Sequence, residues 1–428
     1  MIKNNKIMAA VIVASLGYFV DIYDLLLFSI VRIPSLQSLH LTGAKLTDTG
    51  LLLLNLQMAG MLAGGIFWGI LGDKKGRLSV LFGSICIYSV ANIANGFVDS
   101  VTGYALWRFV AGVGLAGELG AGITLVAELM PKEKRGYATT VIASVGVSGA
   151  IAAYVIAQYF SWRISFFIGG GLGLLLLLLR IGVSESGVFD AAREVANRGN
   201  IWLLFNNGKR FRKYLSCILI GVPLWFVVGV LITLSPEFSK VLQVKGTVNA
   251  GASVAWCYGG LVVGDIVSGI LSQLLKSRVK VVYIFLSITV VALIIFFQLN
   301  GVSVQLFYMT CGVLGFSVGY WVIFMTIATE QFGTNIRATV TTTVPNFVRG
   351  AVVPMSFLFQ LLTSYFKGSI IIAGELLAML CLSLAILSLR KMKETFGKDL
   401  DFQETDKSIK PSQDGRTPLA VVNDRNTY

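Results

Sequence analysis

The chain has 428 residues, of which 55% are hydrophobic and only 13% are charged, and its formal net charge is +13. Soluble domains carry about 25% charged residues, so this composition excludes a soluble multi-domain protein. Together with a mean hydropathy of +0.77, it predicts an all-α membrane protein. Short loops of membrane proteins collect positive charge, so we expect no nucleic-acid partner.

A helix that crosses a bilayer needs about twenty apolar residues, and the chain contains twelve stretches of that kind. The predicted spans are 8–32, 49–71, 78–98, 103–129, 137–160, 163–183, 214–235, 249–273, 279–299, 303–329, 338–362 and 368–390. Residues 1–183 are predicted to form an N-terminal six-helix bundle and residues 214–390 a C-terminal one. A polar linker, residues 184–213, joins them and is expected to contain a surface helix around 189–205. The polar tail, residues 391–428, is expected to be disordered.

Basic residues predict the orientation, because they accumulate in cytoplasmic loops. They cluster in the linker and in the even-numbered connections, at Lys74, Lys75 and Arg77; Lys132, Lys134 and Arg135; Lys276, Arg278 and Lys280; and Arg337. Both termini are therefore expected in the cytoplasm of a bacterial inner membrane. The first apolar run is too long for a signal peptide and carries Asp21 and Asp24, so we expect it to remain as the first span.

The connection between spans 2 and 3 reads Gly69-Ile-Leu-Gly-Asp-Lys-Lys-Gly-Arg77. Its glycines allow two helix ends to approach closely, and Asp73 is suited either to pair with a basic residue or to cap a neighbouring helix. This run resembles the signature loop of the major facilitator superfamily. The resemblance implies two six-helix bundles around a cavity that opens alternately to each side, with Gly69, Asp73, Gly76 and Arg77 serving gating.

The two halves of the chain also share a spacing. Glu128 is followed seven residues later by Arg135 after span 4, and Glu330 by Arg337 after span 10. Matched positions in two six-span halves indicate duplication of one unit. We expect these four residues to serve gating as well.

Span 1 carries two carboxylates near the middle of the membrane, Asp21 and Asp24. They lie three residues apart and therefore share one side of the helix. Charges at that depth need a cavity or a partner, so we interpret the two as proton carriers, with Tyr23 beside them as a cavity residue. The alternative is a pair that only hydrogen-bonds neighbouring helices.

Span 4 carries Arg108 and Glu118, which lie about 15 Å apart along a regular helix and cannot bond each other. Arg108 is therefore expected to pair with Asp21 or Asp24. Glu118 is a third candidate for proton exchange.

Span 11 carries Arg349 near mid-membrane, with Asn346 one turn away. The planar guanidinium suits a carboxylate of the protein or of a substrate, and the sequence leaves both open, with Asp21 or Glu118 as the internal partner. In span 8, Asp265 is expected to form a structural salt bridge.

Spans 1 and 4 together resemble the metabolite–proton symporter branch of the superfamily, on the residues Asp21, Tyr23, Asp24, Arg108, Gly117 and Glu118. That branch more often has glutamate in place of Asp21 and tryptophan in place of Ile22. The stretches 184–186 and 394–398 resemble sugar-porter motifs. The resemblance implies a secondary transporter, but it does not carry over a substrate. Our own expectation is a monomer that moves a small polar metabolite: an organic anion, a zwitterion or a sugar-like compound.

Proton coupling is the expected drive, because the chain has no P-loop for ATP. We expect Asp21, Asp24 or Glu118 to exchange the proton and Tyr23, Arg108, Asn346 and Arg349 to contact the substrate. The single histidine and five widely spaced cysteines predict no metal and no cofactor. The alternatives are a drug or siderophore exporter, which the absence of proline from span 5 disfavours, and a receptor of the same fold. The loops contain no nucleophile–base pair, so the sequence does not predict an enzyme.

Overall fold

The computed structural model describes residues 2–120, 122, 135–179, 201–397 and 404, and the regular structure in these ranges is helical apart from one isolated bridge. The helices are α1 (Ile2–Ser38), α2 (Gly43–Lys75), α3 (Arg77–Gly96), α4 (Val101–Leu115), α5 (Arg135–Val147), α6 (Gly149–Tyr159), α7 (Trp162–Leu179), α8 (Trp202–Phe205), α9 (Gly208–Phe226), α10 (Ser235–Val241), α11 (Ala250–Leu274), α12 (Arg278–Phe297), α13 (Val304–Ser317), α14 (Trp321–Gln331), α15 (Arg337–Gly350), α16 (Val352–Tyr365) and α17 (Ile370–Leu389). A π-helix, Val227–Ile232, continues α9.

Eleven helical stretches within the described ranges are long and apolar enough to cross a membrane. Helix α4 corresponds to the predicted fourth span, and the chain continues past it through a further helical turn at 118–120. The rest of that span lies outside the described residues. This arrangement agrees with the all-α membrane architecture that the composition predicts.

Several predicted spans are interrupted. Span 10 is divided into α13 and α14 at residues 318–320, span 11 into α15 and α16 at Ala351, and span 5 into α5 and α6 at Ser148. Gly319 lies in the first break, where an added Cβ would collide with the backbone of Gly264 on α11. The break thus accompanies a close approach of two helices. An apolar run does not reveal the break, because hydropathy reports side-chain polarity and not the continuity of backbone hydrogen bonds.

The linker and tail are described only in part. Helix α9 begins at Gly208, inside the predicted linker, and of the predicted surface helix around 189–205 only 201–205 is described, including the short α8. The tail beyond residue 397 lies outside the described residues except for Glu404. That residue accepts hydrogen bonds from Arg210 Nε at 3.1 Å and Lys213 Nζ at 3.4 Å, so it is fastened to the start of α9.

Equivalent helix pairs pack alike in the two halves. A Cβ at Gly60 on α2 would collide with the carbonyl oxygen of Phe109 on α4, and a Cβ at Gly260 on α11 would collide with that of Gly312 on α13. Glycine at such contacts lets helix backbones touch, as in other membrane bundles. The recurrence supports the internal duplication that the Glu–Arg spacing indicates.

The two halves meet on both sides of the centre. On the linker side, where the ends of α2 and α9 lie, Gly69 of α2 packs against Thr339 of α15, whose Cα would be 3.1 Å from an added Cβ. On the opposite side, Arg32 of α1 bonds Glu237 of α10. The residues at the middle of α1 and at the end of α15 therefore lie between two layers of contact.

Candidate functional site

At the centre, one ion pair joins the two halves. Arg349 Nη2 on α15 lies 3.5 Å from Asp21 Oδ2 on α1, and the side chains are 1% and 0% exposed. The distance suits an ion pair but exceeds a good hydrogen bond. No protein atom in the described part hydrogen-bonds either carboxylate oxygen or the three guanidinium nitrogens. The pair is thus buried, with most of its hydrogen-bonding capacity unused.

Aromatic side chains surround Arg349. Its Cζ lies 5.8 Å from the ring centres of Trp225 and Trp321, a distance at which a cation is attracted by the ring. The Trp225 Nε1 atom is buried without a protein hydrogen-bond partner among the described residues, whereas Trp321 interacts with the Tyr18 hydroxyl. Tyr18 and Tyr258 are buried close enough to interact electrostatically with Arg349 and Asp21. The result is a guanidinium with unused N–H donors packed against aromatic rings, an arrangement whose chemistry suits an anion with a flat apolar body.

Asp24 faces a different environment from Asp21. It lies beside Arg108 and Asn92, and a Cβ at Gly169 of α7 would collide with its Oδ1. Although the two aspartates are only three residues apart, Asp24 therefore points into the N-terminal helices. No ion pair joins Arg108 to Asp21 or Asp24 among the described residues, and Arg108 acts on Asp24 only as a nearby charge. Their pairing therefore stays a prediction.

Arg108 is held chiefly by neutral groups. Its Nη1 donates to Gln57 Oε1 and its Nη2 to Asn92 Oδ1, both at 3.2 Å. The guanidinium lies 5.0 Å from the Phe166 ring and 5.7 Å from that of Phe28. All four neighbours belong to the N-terminal half, so this arginine is packed inside one bundle.

The other predicted central residues have the following positions. The Tyr23 hydroxyl donates to Ser165 O on α7 at 2.9 Å, which fixes the ring inside the N-terminal half. Glu118 is 1% exposed and interacts electrostatically with Asp21. Asn346 Nδ2 donates to Ala116 O at 2.8 Å, and this hydrogen bond joins the two bundles.

Asp265 does not form the expected salt bridge with any described residue. Its Oδ1 instead accepts from the Val322 N–H at 3.3 Å, at the start of α14. A carboxylate is favourable at the positive end of a helix. Sequence reasoning could not foresee this partner because the helix end exists only through the break in span 10.

On the linker side, Asp73 caps α15 of the other half. Its Oδ2 accepts from the Thr339 N–H at 2.8 Å and from the Thr339 hydroxyl at 2.6 Å. Capping was one of the two alternatives that the signature loop left open. Gly76 has a φ of +98°, a backbone conformation that favours glycine. The Arg77 and Arg135 side chains and the whole of Glu128 lie outside the described residues.

The second half has its own charged cluster on this side. Arg278 Nη2 lies 3.3 Å from Glu330 Oε1, and Arg337, 1% exposed, begins α15. Glu394 accepts from the Ser277 hydroxyl and from the Arg278 N–H at 2.9 Å. Burial acts to raise the pKa of Glu394, but these and neighbouring backbone hydrogen bonds outweigh it and hold the pKa below its ordinary value.

Several residues at these contacts escaped the sequence predictions. Gln57 and Asn92 bond Arg108, Trp225 and Trp321 flank Arg349, and Thr339 bonds Asp73. The two amides carry a recognisable signal, since a polar side chain within an apolar span needs a partner. The tryptophans carry none, because most aromatic residues in membrane spans are packing residues.

Comparison with solved structures identifies the fold. The proton:xylose symporter XylE, bound to 6-bromo-6-deoxy-D-glucose, superposes with a TM-score of 0.73 over 93% of this chain and 98% of its own, at 17% sequence identity. This likeness concerns the fold alone. The predicted fold class, twelve transmembrane helices in the major facilitator arrangement, is confirmed.

Among curated proteins, the niacin transporter NiaP of Acinetobacter baylyi is 30% identical over 193 residues, which are 44% of this chain and 42% of that protein. The gentisate transporter of Corynebacterium glutamicum is 24% identical over 63% of this chain and 65% of its own. The chain thus spans less than two thirds of the length of either relative.

A sequence profile described as Major Facilitator Superfamily matches residues 8–353. The prediction of a multi-pass membrane transport protein rather than an enzyme is confirmed at the level of this family. The chain belongs to the major facilitator superfamily.

Proposed function

We propose that the chain is a secondary transporter that carries a small organic anion together with a proton. The observation that carries this proposal is the central ion pair, Arg349 with Asp21, whose atoms lack protein hydrogen bonds. A buried arginine with free N–H groups is suited to a carboxylate, which its planar fork can bind at two points. We prefer proton symport as the drive because Asp21, the partner that the substrate must displace, is a carboxylate, and a proton removes the charge that holds it to Arg349.

The mechanism follows from charge balance. While Asp21 is ionised, it neutralises Arg349 and holds α1 against α15. A proton on Asp21 removes that attraction, and the substrate carboxylate then supplies the negative charge that buried Arg349 requires. Release of both restores the ion pair, so proton and anion stabilise each other's binding in the sense of linked equilibria.

The aromatic lining supports a substrate with a flat ring. Trp225 and Trp321 each offer a ring 5.8 Å from Arg349 Cζ, and the indole N–H of Trp225 has no protein partner in the described part of the chain. Niacin and gentisate, the compounds in the names of the two relatives, are carboxylic acids on aromatic rings. We therefore place ring carboxylates ahead of sugars and zwitterions as candidate substrates.

The orientation is part of the proposal. With both termini and the linker in the cytoplasm, the Asp73–Thr339 contact becomes the inner closure and the Arg32–Glu237 contact the outer one. In a bacterial inner membrane, the proton gradient then drives the anion inward. The alternation of these two closures around Asp21 and Arg349 is the transport cycle that we propose.

The test is uptake into proteoliposomes with and without an inward proton gradient. The panel contains nicotinate, benzoate and gentisate, with nicotinamide and benzamide as neutral controls of nearly the same shape, and proline and xylose as representatives of the other classes. We expect gradient-dependent accumulation of at least one acid beyond that in protein-free liposomes, which measure passive entry of the neutral acid, and none of its amide. Equal uptake of acid and amide, or preference for xylose, would contradict the proposal.

A further inference from the structure

A second buried arginine, Arg32 near the end of α1, has spare donors. Its side chain is 1% exposed, and Nη2 makes all of its hydrogen bonds, to Glu237 at 2.8 and 3.2 Å and to Thr233 O at 3.3 Å. Nε and Nη1 are buried without a protein partner in the described part of the chain. Gly50 of α2 leaves room for its stem, since a Cβ there would lie 2.7 Å from Arg32 Cδ.

Glu237, the counter-ion of Arg32, is partly exposed to solvent, whereas Arg32 is buried. The Glu237 side chain is 24% exposed and lines a cleft of about 380 Å³ together with Thr47, Gln360 and Thr363. Thr47 Oγ1 also donates to Glu237 Oε1 at 3.4 Å. Glu237 can therefore turn into water at the cleft, whereas Arg32 would stay buried and lose its neutralising charge.

Arg32 shares a face of α1 with the central site. It follows Asp21 by eleven residues, which is about three helical turns and roughly 16 Å along the axis. Both residues link α1 to the C-terminal half, Asp21 through Arg349 and Arg32 through Glu237. One stripe of α1 thus connects the cleft with the centre.

We propose that Arg32 is an outer binding site for a carboxylate, with Glu237 as the resident counter-ion that the arriving anion replaces. Breaking this pair alone would leave a bare buried cation, which is costly. An incoming carboxylate removes that cost, so the outer contact opens readily only when an anion is present. Asp48 also lines the cleft, but it is exposed, and water screens its charge. The choice of an anion rests on the proposed function.

The test labels a cysteine beneath the cleft. Leu234 lines the cleft and is buried. Cys86 is the exposed native cysteine in the described part of the chain, so Leu234→Cys in a Cys86→Ser background reports opening to a hydrophilic maleimide in detergent-purified protein. Glu237→Gln should label about tenfold faster or more, because a buried ion pair is lost. Asp99→Asn, which removes the exposed Arg163–Asp99 pair within one half, is the matched control and should not change the rate. An unchanged labelling rate in Glu237→Gln would show that the Arg32–Glu237 ion pair does not keep this side closed, and would overturn the proposal.

Benzoate then probes the anion site. In Glu237→Gln the outer contact is already open without an anion, so benzoate bound at Arg32 should cover the cysteine, which follows the Thr233 carbonyl that Arg32 contacts. Benzoate should therefore slow the labelling severalfold while benzamide does not, and Arg32→Gln with Glu237→Gln should abolish the protection. Equal protection by benzamide, or protection without Arg32, would overturn the site. If the single variants do not fold, the exchange Arg32→Glu with Glu237→Arg should restore slow labelling, and fast labelling of that folded protein would count against the pair. Arg349→Lys should keep the benzoate protection, so failure of the central site is separable from failure of this one.

Discussion

The two buried arginines near the centre differ in what holds them. Arg108 lies inside the N-terminal half, with hydrogen bonds to two amides and two phenyl rings around it. Arg349 lies between the halves, with one carboxylate at 3.5 Å and no protein hydrogen bond from the described residues. Arg108 Nε also lacks a protein partner among the described residues, so the difference is one of degree. Two of the three guanidinium nitrogens of Arg108 are bonded inside one bundle, whereas none of those of Arg349 is bonded at the contact between the bundles.

Replacing each arginine by lysine tests this contrast and should give the largest effect. Arg349→Lys should weaken binding of the transported acid by about 1.5–3 kcal/mol, roughly 10- to 150-fold, because a charge-assisted two-point contact is lost. Its melting temperature should stay close to that of the wild type. Arg108→Lys should instead lower the melting temperature and change affinity little. Affinity and melting of both purified variants decide the matter, and the reverse pattern would refute the comparison.

Glycine contacts inside a bundle sharpen the same comparison. Gly260→Ala should destabilise the protein by about 1–3 kcal/mol, because its Cβ would collide with the Gly312 carbonyl oxygen and the helices must separate. Gly259→Ala, its neighbour on α11, meets nothing within 4 Å and should be neutral or slightly stabilising. Thermal unfolding in detergent measures both. Equal effects of the two alanines would show that close packing of α11 and α13 is not needed.

The linker-side contact between the bundles should respond in rate rather than in affinity. Asp73→Asn weakens an acceptor of two hydrogen bonds from Thr339, far from Arg349 along α15. We expect transport to slow severalfold while equilibrium binding of the acid stays nearly unchanged. Thr339→Val, which removes only the hydroxyl donor, should have a smaller effect. A large loss of affinity in Asp73→Asn would assign this aspartate to recognition instead.

The smallest effect concerns Glu394, whose contacts lie within the second half. Its folded-state pKa is lowered, so its contribution to stability is present above the ordinary pKa of a glutamate, about 4.3, and is lost as the pH falls through the lowered value. Wild type should therefore exceed Glu394→Gln in stability at neutral pH, and the gap should close in acid. A stability difference between the two proteins that stays the same from about pH 3 to about pH 7, a range that spans this titration, would refute the lowered pKa of Glu394.

The sequence predicted the fold because long apolar runs and clustered basic residues follow directly from the bilayer. It also predicted that Asp21, Asp24, Arg108 and Arg349 are buried at the centre. It could not tell which aspartate meets which arginine, since a difference of about 60° around α1 sends Asp21 to one half and Asp24 to the other. The partners Arg32 and Glu237 lie 205 positions apart in the chain, and only the packing of the bundles brings them together.

The central claim is that a proton on Asp21 breaks its ion pair with Arg349, and that the substrate carboxylate then pairs with Arg349. Asp21→Asn, which mimics the protonated side chain, tests it most directly in proteoliposomes loaded with the acid that the uptake panel identifies. We predict that gradient-driven accumulation disappears while exchange of internal for external substrate continues, because binding at Arg349 no longer requires a proton. Undiminished accumulation by folded Asp21→Asn would contradict the account.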